Sequence, residues 1–484
     1  MQQAISAGHQ ETLNTAKEIL LAGGNAFDAA VAAHLTMFIA EPCMASAGGG
    51  GFALIYQPNK GVNFVDFFCH TPRVKRKIEN LDFFPIRVDF GNDSEEFHIG
   101  AGSVAVPGTI AGLFHLQENY GTMPFRELSA IPISLAKSGV AVDTFQAYDF
   151  GLLEPILTYT AEGRSIFTQN DKLRKEGDLL QLPMMADFLG FLSDEGKEGF
   201  YQGEIGRLIA KSNQENGGFL SREDFEKFKI NSTPPLRSKL KNYTLYSANR
   251  PSIGGVILAN YITGIKKQRS PQVIKRLVEN LLDISYQVSE FDQNNGTKLN
   301  GSWGFDTVKK GTSHFNILDK WGNAISLTTS IGEGNGTFIE GTQMQLNNML
   351  GELFLLPNGV HSWTENTRLN SMMAPTMILN GEQLQLVLGS GGASRIPFAI
   401  GQTLRSIFID KLELSAAINA PRIHYHESKL QAEFIKAFLE APTGPYKIWN
   451  QNHMFFGGVN AISAMANNTQ AYADPRRYGV AEVF

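Results

Sequence analysis

Two alternating runs joined by a short loop constrain the fold of this chain more than any other feature. Residues 312–330 read TSHFNILDKWGNAISLTTS, and the loop DKWGN contains a glycine, a pattern that predicts a β-hairpin. With Trp321 at the centre of the turn, Thr312 faces Ser330 and His314 faces Thr328. Directly opposed side chains lie about 5 Å apart at Cβ, so the hydroxyls at the open end are expected to be neighbours.

The hydroxyl groups at that end have two explanations. Threonine and serine favour strands and hydrogen-bond across them, which is a purely structural reason for their presence. A threonine hydroxyl beside a base is also an activated nucleophile. On this stretch alone the structural explanation is the stronger one.

The rest of the chain mixes helix and strand patterns. Residues 10–40 predict two helices, and the second, AFDAAVAAHLTMFIA, is apolar nearly all round, as in a buried helix. A glycine run at 48–51 leads into two predicted strands, and residues 125–230 are mostly helical and amphipathic. An Asn/Gly-rich connector at 291–304 precedes a second half in which strands predominate.

Composition excludes several classes of partner. The chain has 484 residues, 43% apolar and 18% charged, with a net charge of -5, which is typical of a globular protein and argues against a nucleic acid or an anionic membrane as partner. It contains no apolar run of about 18 residues, so no transmembrane helix is expected. The first residues lack a basic head and an apolar run, which predicts a cytoplasmic location, although a removed leader would leave the same sequence.

Metal and cofactor signals are weak. The ten histidines show no metal-ligand spacing, so neither a metal nor a cofactor is expected. The two cysteines, Cys43 and Cys69, could form one disulfide, and nothing in the sequence demands it. Gly389, Gly391 and Asp410 loosely imitate a dinucleotide-binding fingerprint, but serine stands at the third glycine position.

Several motifs in order along the chain resemble those of the gamma-glutamyltranspeptidase family, a group of N-terminal-nucleophile hydrolases. Beside the hairpin, they are AGGNAFDAAVAA (22–33), EPCMASAGGGGFALIY (41–56), SVAVPGTIAGL (103–113), LNNMLGE (346–352), RLNSMMAPT (368–376), GSGGASRI (389–396), NAPRIHYH (419–426) and ADPRR (473–477). Together they cover nearly the whole chain.

The resemblance implies an α+β fold, a four-layer αββα sandwich with two stacked antiparallel sheets. It also implies a precursor that cuts itself before Thr312 into residues 1–311 and 312–484, which remain together as a heterodimer in one intertwined domain. The Thr312 hydroxyl would be the nucleophile and its new α-amino group, with a pKa of roughly 8, the base. Ser330 would hydrogen-bond Thr312 and hold its rotamer.

The resemblance also implies the remaining site residues. Backbone N–H groups of Gly392 and Ala393, in a predicted turn between a strand and a helix, would form the oxyanion hole. The family usually has glycine at the second position, but only the N–H group is needed. The implied substrate-binding residues are Asn348, Glu352, Ser371 and Gly391.

The substrate end departs from the family pattern. Phe68 stands where an arginine usually binds the α-carboxylate of a γ-glutamyl group, and phenylalanine offers no such contact. Met349 and Met372 replace polar residues, and Glu352 replaces an aspartate that binds the substrate amino group. These changes predict a more apolar acyl pocket, unless the charge is supplied by another arginine, for which the candidates are Arg73, Arg368 and Arg395.

Three hypotheses follow. The leading one is a self-processing amidohydrolase that cleaves γ-glutamyl or related acyl amides through an acyl-threonine and transfers the acyl group to water or an amine. The second is an acylase for a less acidic acyl group, similar to glutaryl or cephalosporin acylases. The third is an unprocessed homologue that acts as a binding or scaffold protein.

Overall fold

The computed structural model describes residues 1–89, 94–264, 311–352, 355–356, 359–426, 429–434, 445–465 and 468–484. Its helices are α1 Gln10–Leu21, α2 Ala26–Ala40, α3 Thr109–Tyr120, α4 Phe125–Ser138, α5 Thr144–Leu157, α6 Ala161–Phe167, α7 Pro183–Tyr201, α8 Glu204–Glu215, α9 Arg222–Glu226, α10 Ile253–Gly264, α11 Ile396–Phe408 and α12 Leu414–Asn419.

The strands are β1 Ala4–Ala7, β2 Gly50–Gln57, β3 Gly61–Asp66, β4 Phe84–Asp89, β5 Ser94–Ile99, β6 Val140–Ala141, β7 Thr168–Gln169, β8 Lys172–Leu173, β9 Leu179–Leu180, β10 Asn231–Thr233, β11 Leu236–Leu240, β12 Tyr243–Ser247, β13 Thr312–Leu318, β14 Ala324–Ser330, β15 Phe338–Ile339, β16 Met344–Gln345, β17 Thr376–Asn380, β18 Gln383–Gly391, β19 Ile423–His426, β20 Lys429–Glu433, β21 Tyr446–Trp449, β22 Gly458–Ser463, β23 Gln470–Tyr472 and β24 Val480–Val483.

The predicted hairpin lies inside a seven-stranded sheet with the order β10-β3-β2-β14-β13-β1-β24. Every neighbouring pair in this sheet is antiparallel. The register pairs Thr312 with Ser330 and His314 with Thr328, so the prediction from the alternation about Trp321 is confirmed. Strands from before and after residue 312 therefore share one sheet.

A second antiparallel sheet, of six strands, has the order β11-β12-β17-β18-β22-β23. Strands β13 and β14 pack on its β18 and β22, and the Ser326 hydroxyl donates a hydrogen bond to Leu388 O at 3.0 Å. Helices α1 and α2 lie by the first sheet, and α10 and α11 by the second. The fold is thus mixed helix and sheet with antiparallel sheets, as expected.

Alternation along β2 explains how the first sheet is buried on both faces. Ala53 and Ile55 belong to one hydrophobic core with the side chains of α2. Phe52 and Leu54, on the opposite face, belong to a second core with side chains of the other sheet. Because successive strand side chains point to opposite faces, one apolar strand serves both cores.

Helix α2 is fully buried, as its apolar sequence predicts. Asn25 caps its first turn by accepting hydrogen bonds from the N–H groups of Phe27 and Asp28, and the Asp28 carboxylate accepts from the Asn25 N–H. This reciprocal capping satisfies backbone donors that would otherwise be buried without acceptors.

Several other expectations can be compared with the structure. Gly389 to Gly391 end β18, which pairs antiparallel with β17 and β22, so these glycines do not belong to a parallel dinucleotide-binding unit. Cys43 and Cys69 are both buried free thiols. The connector at 291–304 lies outside the described residues, and within those residues no helix has the length and apolarity needed to cross a membrane.

Candidate active site

The two hydroxyls predicted to be neighbours are in contact at the open end of the hairpin. Thr312 Oγ1 donates to Ser330 Oγ at 3.4 Å, and both side chains are buried. Ser330 Oγ in turn donates to the carbonyl oxygen of Gly311 at 2.6 Å and accepts from the Gly332 N–H at 3.0 Å. One serine hydroxyl therefore contacts groups on both sides of the Gly311–Thr312 peptide bond.

Gly311 occupies a position that only glycine fits. A Cβ built on it would lie 1.4 Å from the carbonyl oxygen of Gly332, closer than any side chain can approach backbone. Its N–H points to Glu333 Oε1 at 3.5 Å. The absence of a side chain lets the backbone of residues 311 and 332 pack directly together, which fixes the approach to β13.

The glycine run ahead of β2 packs against the same region. A Cβ on Gly49 would lie 2.6 Å from Ser330 O, and one on Gly51 would lie 2.6 Å from Thr328 O. Backbone therefore packs directly on backbone at this glycine run. These glycines bring β2 close to the strand that carries Ser330.

Thr312 and Ser330 open onto a pocket, here called the Thr312 cleft, of about 370 Å³ when the space open to solvent is included. Its apolar lining comes from Phe68, Met349, Leu355, Met372, Met373, Ala393 and Ile396. Its polar lining includes Ser371, Glu333 and Glu352. The prediction that Phe68, Met349 and Met372 make the pocket more apolar is consistent with this lining.

The predicted oxyanion-hole residues lie between β18 and α11. Ala393 begins a short 3-10 helix, has φ 49°, and lines the Thr312 cleft. Gly392 precedes it with φ 120°, a left-handed backbone that favours glycine, and a Cβ there would lie 2.8 Å from the Gly457 Cα. The oxyanion role of the two N–H groups stays a prediction.

Two of the predicted substrate-binding residues line the cleft and two do not. Glu352 and Ser371 are on its wall. Asn348 is fully buried behind it, where its side chain accepts from the Glu333 N–H at 2.8 Å. Gly391 lines a neighbouring cavity that also contains Thr312. Direct substrate contact by any of the four stays a prediction.

The candidate replacement arginines do not line the Thr312 cleft. Arg368 donates to Asp66 Oδ2 at 3.1 Å and to the Phe68 carbonyl oxygen at 2.6 Å. Arg395 stacks over Phe455 with its guanidinium carbon 4.4 Å from the ring centre. None of the side chains of Arg73, Arg368 and Arg395 is part of the cleft lining. Arg368 thus holds a structural salt bridge to Asp66.

Arg477 contacts the backbone of Thr312, and the sequence analysis did not single it out. Its Nη1 donates to the carbonyl oxygen of Thr312 at 3.3 Å. Arg477 is the last residue of the ADPRR motif, but the motif alone assigns it no role. Local sequence patterns cannot predict a contact between residues that are 165 positions apart.

Ser313 anchors the head of β13 to a buried carboxylate. Its hydroxyl donates to Glu41 Oε2 at 2.5 Å, and Thr12 donates to Glu41 Oε1 at 2.8 Å. Burial raises the pKa of Glu41, although the charge of His9 and the two hydroxyl donors act in the opposite direction. Sequence reasoning missed this network as well.

His314 lies on β13 close to Thr312, and its ring is hydrogen-bonded within the hairpin. Burial lowers the pKa of His314 to about 3, so the ring is neutral at ordinary pH. It is 2.9 Å from Thr328 Oγ1 and 3.0 Å from Asn316 Oδ1, and both contacts hold it within β13 and β14. Within the described residues, no group of three or more His, Cys, Asp or Glu side chains is arranged to hold a metal ion.

The fold of this chain occurs in a solved structure. A crystal structure of cephalosporin acylase from Bacillus halodurans superposes with a TM-score of 0.83 and covers 99% of this chain and 95% of its own. The identity is 19%, so this likeness concerns the fold alone.

Sequence relatives define the family. The family model described as Gamma-glutamyltranspeptidase matches residues 13–282 and 269–484, and the chain belongs to this family. It is 26% identical to the glutathione hydrolase proenzyme of Bacillus subtilis (strain 168) over 99% of this chain and 90% of the relative. The glutathione hydrolase proenzyme of Escherichia coli (strain K12) is 29% identical over 84% of this chain and 78% of its own length.

Proposed function

We propose that the protein is a self-processing amidohydrolase in which Thr312 becomes the N-terminal nucleophile. The observation that carries the proposal is the contact of the Ser330 hydroxyl with both Thr312 Oγ1 and the Gly311 carbonyl oxygen. Relatives that are named proenzymes support a cut precursor. The products would be residues 1–311 and 312–484, held together as a heterodimer in an αββα sandwich.

The same contacts support a route for cleavage of the precursor. Thr312 Oγ1 attacks the carbonyl carbon of Gly311 and its proton passes to the Thr312 nitrogen, so that the C–N bond breaks as an ester to the threonine oxygen forms. The Ser330 hydroxyl donates to the carbonyl oxygen as negative charge develops there, and such a donor is worth most in a buried site. Water then releases the carboxylate of Gly311 and leaves Thr312 with a free amine.

The mature site would repeat this chemistry on a substrate amide. The Thr312 amine accepts the hydroxyl proton, the hydroxyl attacks the amide carbon, and the N–H groups of Gly392 and Ala393 stabilise the oxyanion. The leaving amine takes the proton, and an acyl-threonine ester remains. Water or a second amine then releases the acyl group.

For the acyl group, γ-glutamyl and related amides are the leading class. Glu352 supports this assignment, because its carboxylate lines the Thr312 cleft and can pair with the ammonium of a γ-glutamyl group. A second candidate is an acylase for a less acidic group, and the apolar side chains of Phe68, Met349 and Met372 favour it.

Purified protein tests the proposal directly. The wild type should resolve into two fragments, and the smaller should begin Thr-Ser-His-Phe. Thr312→Ala should remain a single 53.2 kDa band and hydrolyse no anilide. A wild-type protein that remains one stable band contradicts self-processing and favours the scaffold hypothesis. Turnover of a neutral-acyl anilide with an inert γ-glutamyl anilide would select the second candidate.

A further inference from the structure

The Thr312 cleft combines apolar walls with negative charge. The charged side chains on its described lining are two carboxylates, Glu333 and Glu352. Both are almost fully buried, with 1% and 4% of their surfaces exposed. A ligand that enters the cleft therefore meets an environment that favours a positive group and disfavours a negative one.

Glu352 is close to the catalytic hydroxyls. Its Oε1 lies 2.2 Å from the point where a Cβ on Gly332 would stand. The Gly332 N–H donates to Ser330 Oγ, which accepts from Thr312 Oγ1. Gly332 therefore contacts both the Thr312–Ser330 pair and this carboxylate, and we expect a short acyl chain on Thr312 to extend past Gly332 towards Glu352.

The wall formed by Phe68 is unsuited to a carboxylate. Phe68, 1% exposed, occupies it with an apolar ring that packs 5.5 Å from the ring of Phe52. The guanidinium of Arg368 is directed to the Phe68 carbonyl oxygen and to Asp66. A substrate carboxylate placed against Phe68 would lose its hydration without gaining a cation among the described lining side chains.

We infer that the preferred acyl group carries an amine and no carboxylate, as in 4-aminobutyryl amides. This acyl group is a γ-glutamyl group without its α-carboxylate, so its ammonium can pair with Glu352 while only hydrogen faces Phe68. The inference rests on the proposed function and specifies the substrate class of that site.

The reaction for this substrate balances without a further reactant. The amide C–N bond breaks as an ester forms between Thr312 Oγ1 and the 4-aminobutyryl carbon, and the leaving amine gains the threonine proton. Water then attacks the ester, 4-aminobutanoate leaves, and the Thr312 hydroxyl regains its proton. No oxidation state changes.

Four anilides built on the same four-carbon acyl chain test the effects of the amine and of the carboxylate separately. Butyryl anilide has neither, 4-aminobutyryl anilide has the amine, glutaryl anilide has the carboxylate, and γ-glutamyl anilide has both. We expect the highest kcat/KM for 4-aminobutyryl anilide. Its kcat/KM should exceed that of butyryl anilide by about 10- to 100-fold, which corresponds to the free energy of one charge-assisted hydrogen bond. Glutaryl anilide should be the slowest. Enzyme-free blanks correct for cyclisation of the amine onto its own amide.

Substitution of the carboxylate isolates its contribution. Glu352→Gln should lower the ratio of 4-aminobutyryl to butyryl turnover towards one. The exposed Glu365 provides a matched control, because Glu365→Gln should leave that ratio at the wild-type value. Equal formation of the two fragments in both variants shows that the fold is retained.

The outcomes are distinguishable. Faster turnover of γ-glutamyl anilide than of 4-aminobutyryl anilide, or equal turnover of butyryl and 4-aminobutyryl anilides, overturns the inference and leaves the proposed function intact. Processed protein that hydrolyses none of the four anilides overturns the proposed function itself.

Discussion

Removal of the Ser330 hydroxyl should slow precursor cleavage far more than it weakens the fold. Of its three hydrogen bonds, the one to the Gly311 carbonyl oxygen, at 2.6 Å, gains strength as that oxygen becomes anionic. Loss of one such donor typically lowers a rate by ~10²–10³, about 2.7–4 kcal/mol in activation free energy. In Ser330→Ala, a cleavage half-time of minutes should therefore lengthen to hours or days.

The same strand offers a matched control. Ser326 is also buried on β14, and its hydroxyl donates to Leu388 O at 3.0 Å. Ser326→Ala should cost a similar ~1 kcal/mol in the free energy of unfolding, the usual value of one hydrogen bond, without slowing cleavage. That loss is small against the ~5–15 kcal/mol stability of a typical domain.

A time course of the purified precursor measures the effect. Intact mass and denaturing gels give the fraction cleaved, and denaturant unfolding gives the stability of each variant. The reasoning is refuted if Ser330→Ala and Ser326→Ala are processed at the same rate.

Three further predictions concern the surroundings of the site. Gly311→Ala should block cleavage on gels while circular dichroism stays native, because its Cβ would lie 1.4 Å from a backbone oxygen. Gly389→Ala should lower the free energy of unfolding by about 3 kcal/mol, because its Cβ would lie 2.2 Å from the ring of His314. Gly190→Ala is the control and should not lower it in this way, because the space around Gly190 is open. Burial alone would raise the pKa of Asp474, but the guanidinium groups of Arg422 and Arg476 outweigh burial and lower that pKa. The stability contributed by Asp474 is therefore present above its unfolded pKa, about 3.9, and is lost as pH falls through its folded pKa. In denaturant unfolding, the difference in free energy of unfolding between the wild type and Asp474→Asn should shrink as the pH is lowered. A difference that grows would contradict this assignment.

Local patterns in the sequence were sufficient to predict the hairpin that carries the candidate nucleophile. A period of two fixes which side chains share a face, and the alternation about Trp321 left one register, in which Thr312 pairs with Ser330. The burial of helix α2 could also be predicted, because a helix with apolar residues on every face has no polar face to expose to solvent. Local periodicity therefore predicted the elements that carry the site.

Contacts between distant segments could not be predicted in this way. Glu41 and Ser313 are 272 residues apart, and Arg477 and Thr312 are 165 apart. Nothing in the RLNSMMAPT motif indicates that Arg368 is directed to Asp66 rather than to the cleft. Such contacts depend on which strands become neighbours, and that order is set by the packing of the whole chain.

The strand order of the first sheet has a consequence for the lifetime of the enzyme. Strand β1 lies between β13 and β24, so the two products of the proposed cut are interleaved. A heated precursor can refold as one molecule. The two unfolded fragments of a mature enzyme must first associate again, and that association depends on their concentration. Inactivation of the mature protein should thus be practically permanent, and its durability would be governed by the rate of unfolding.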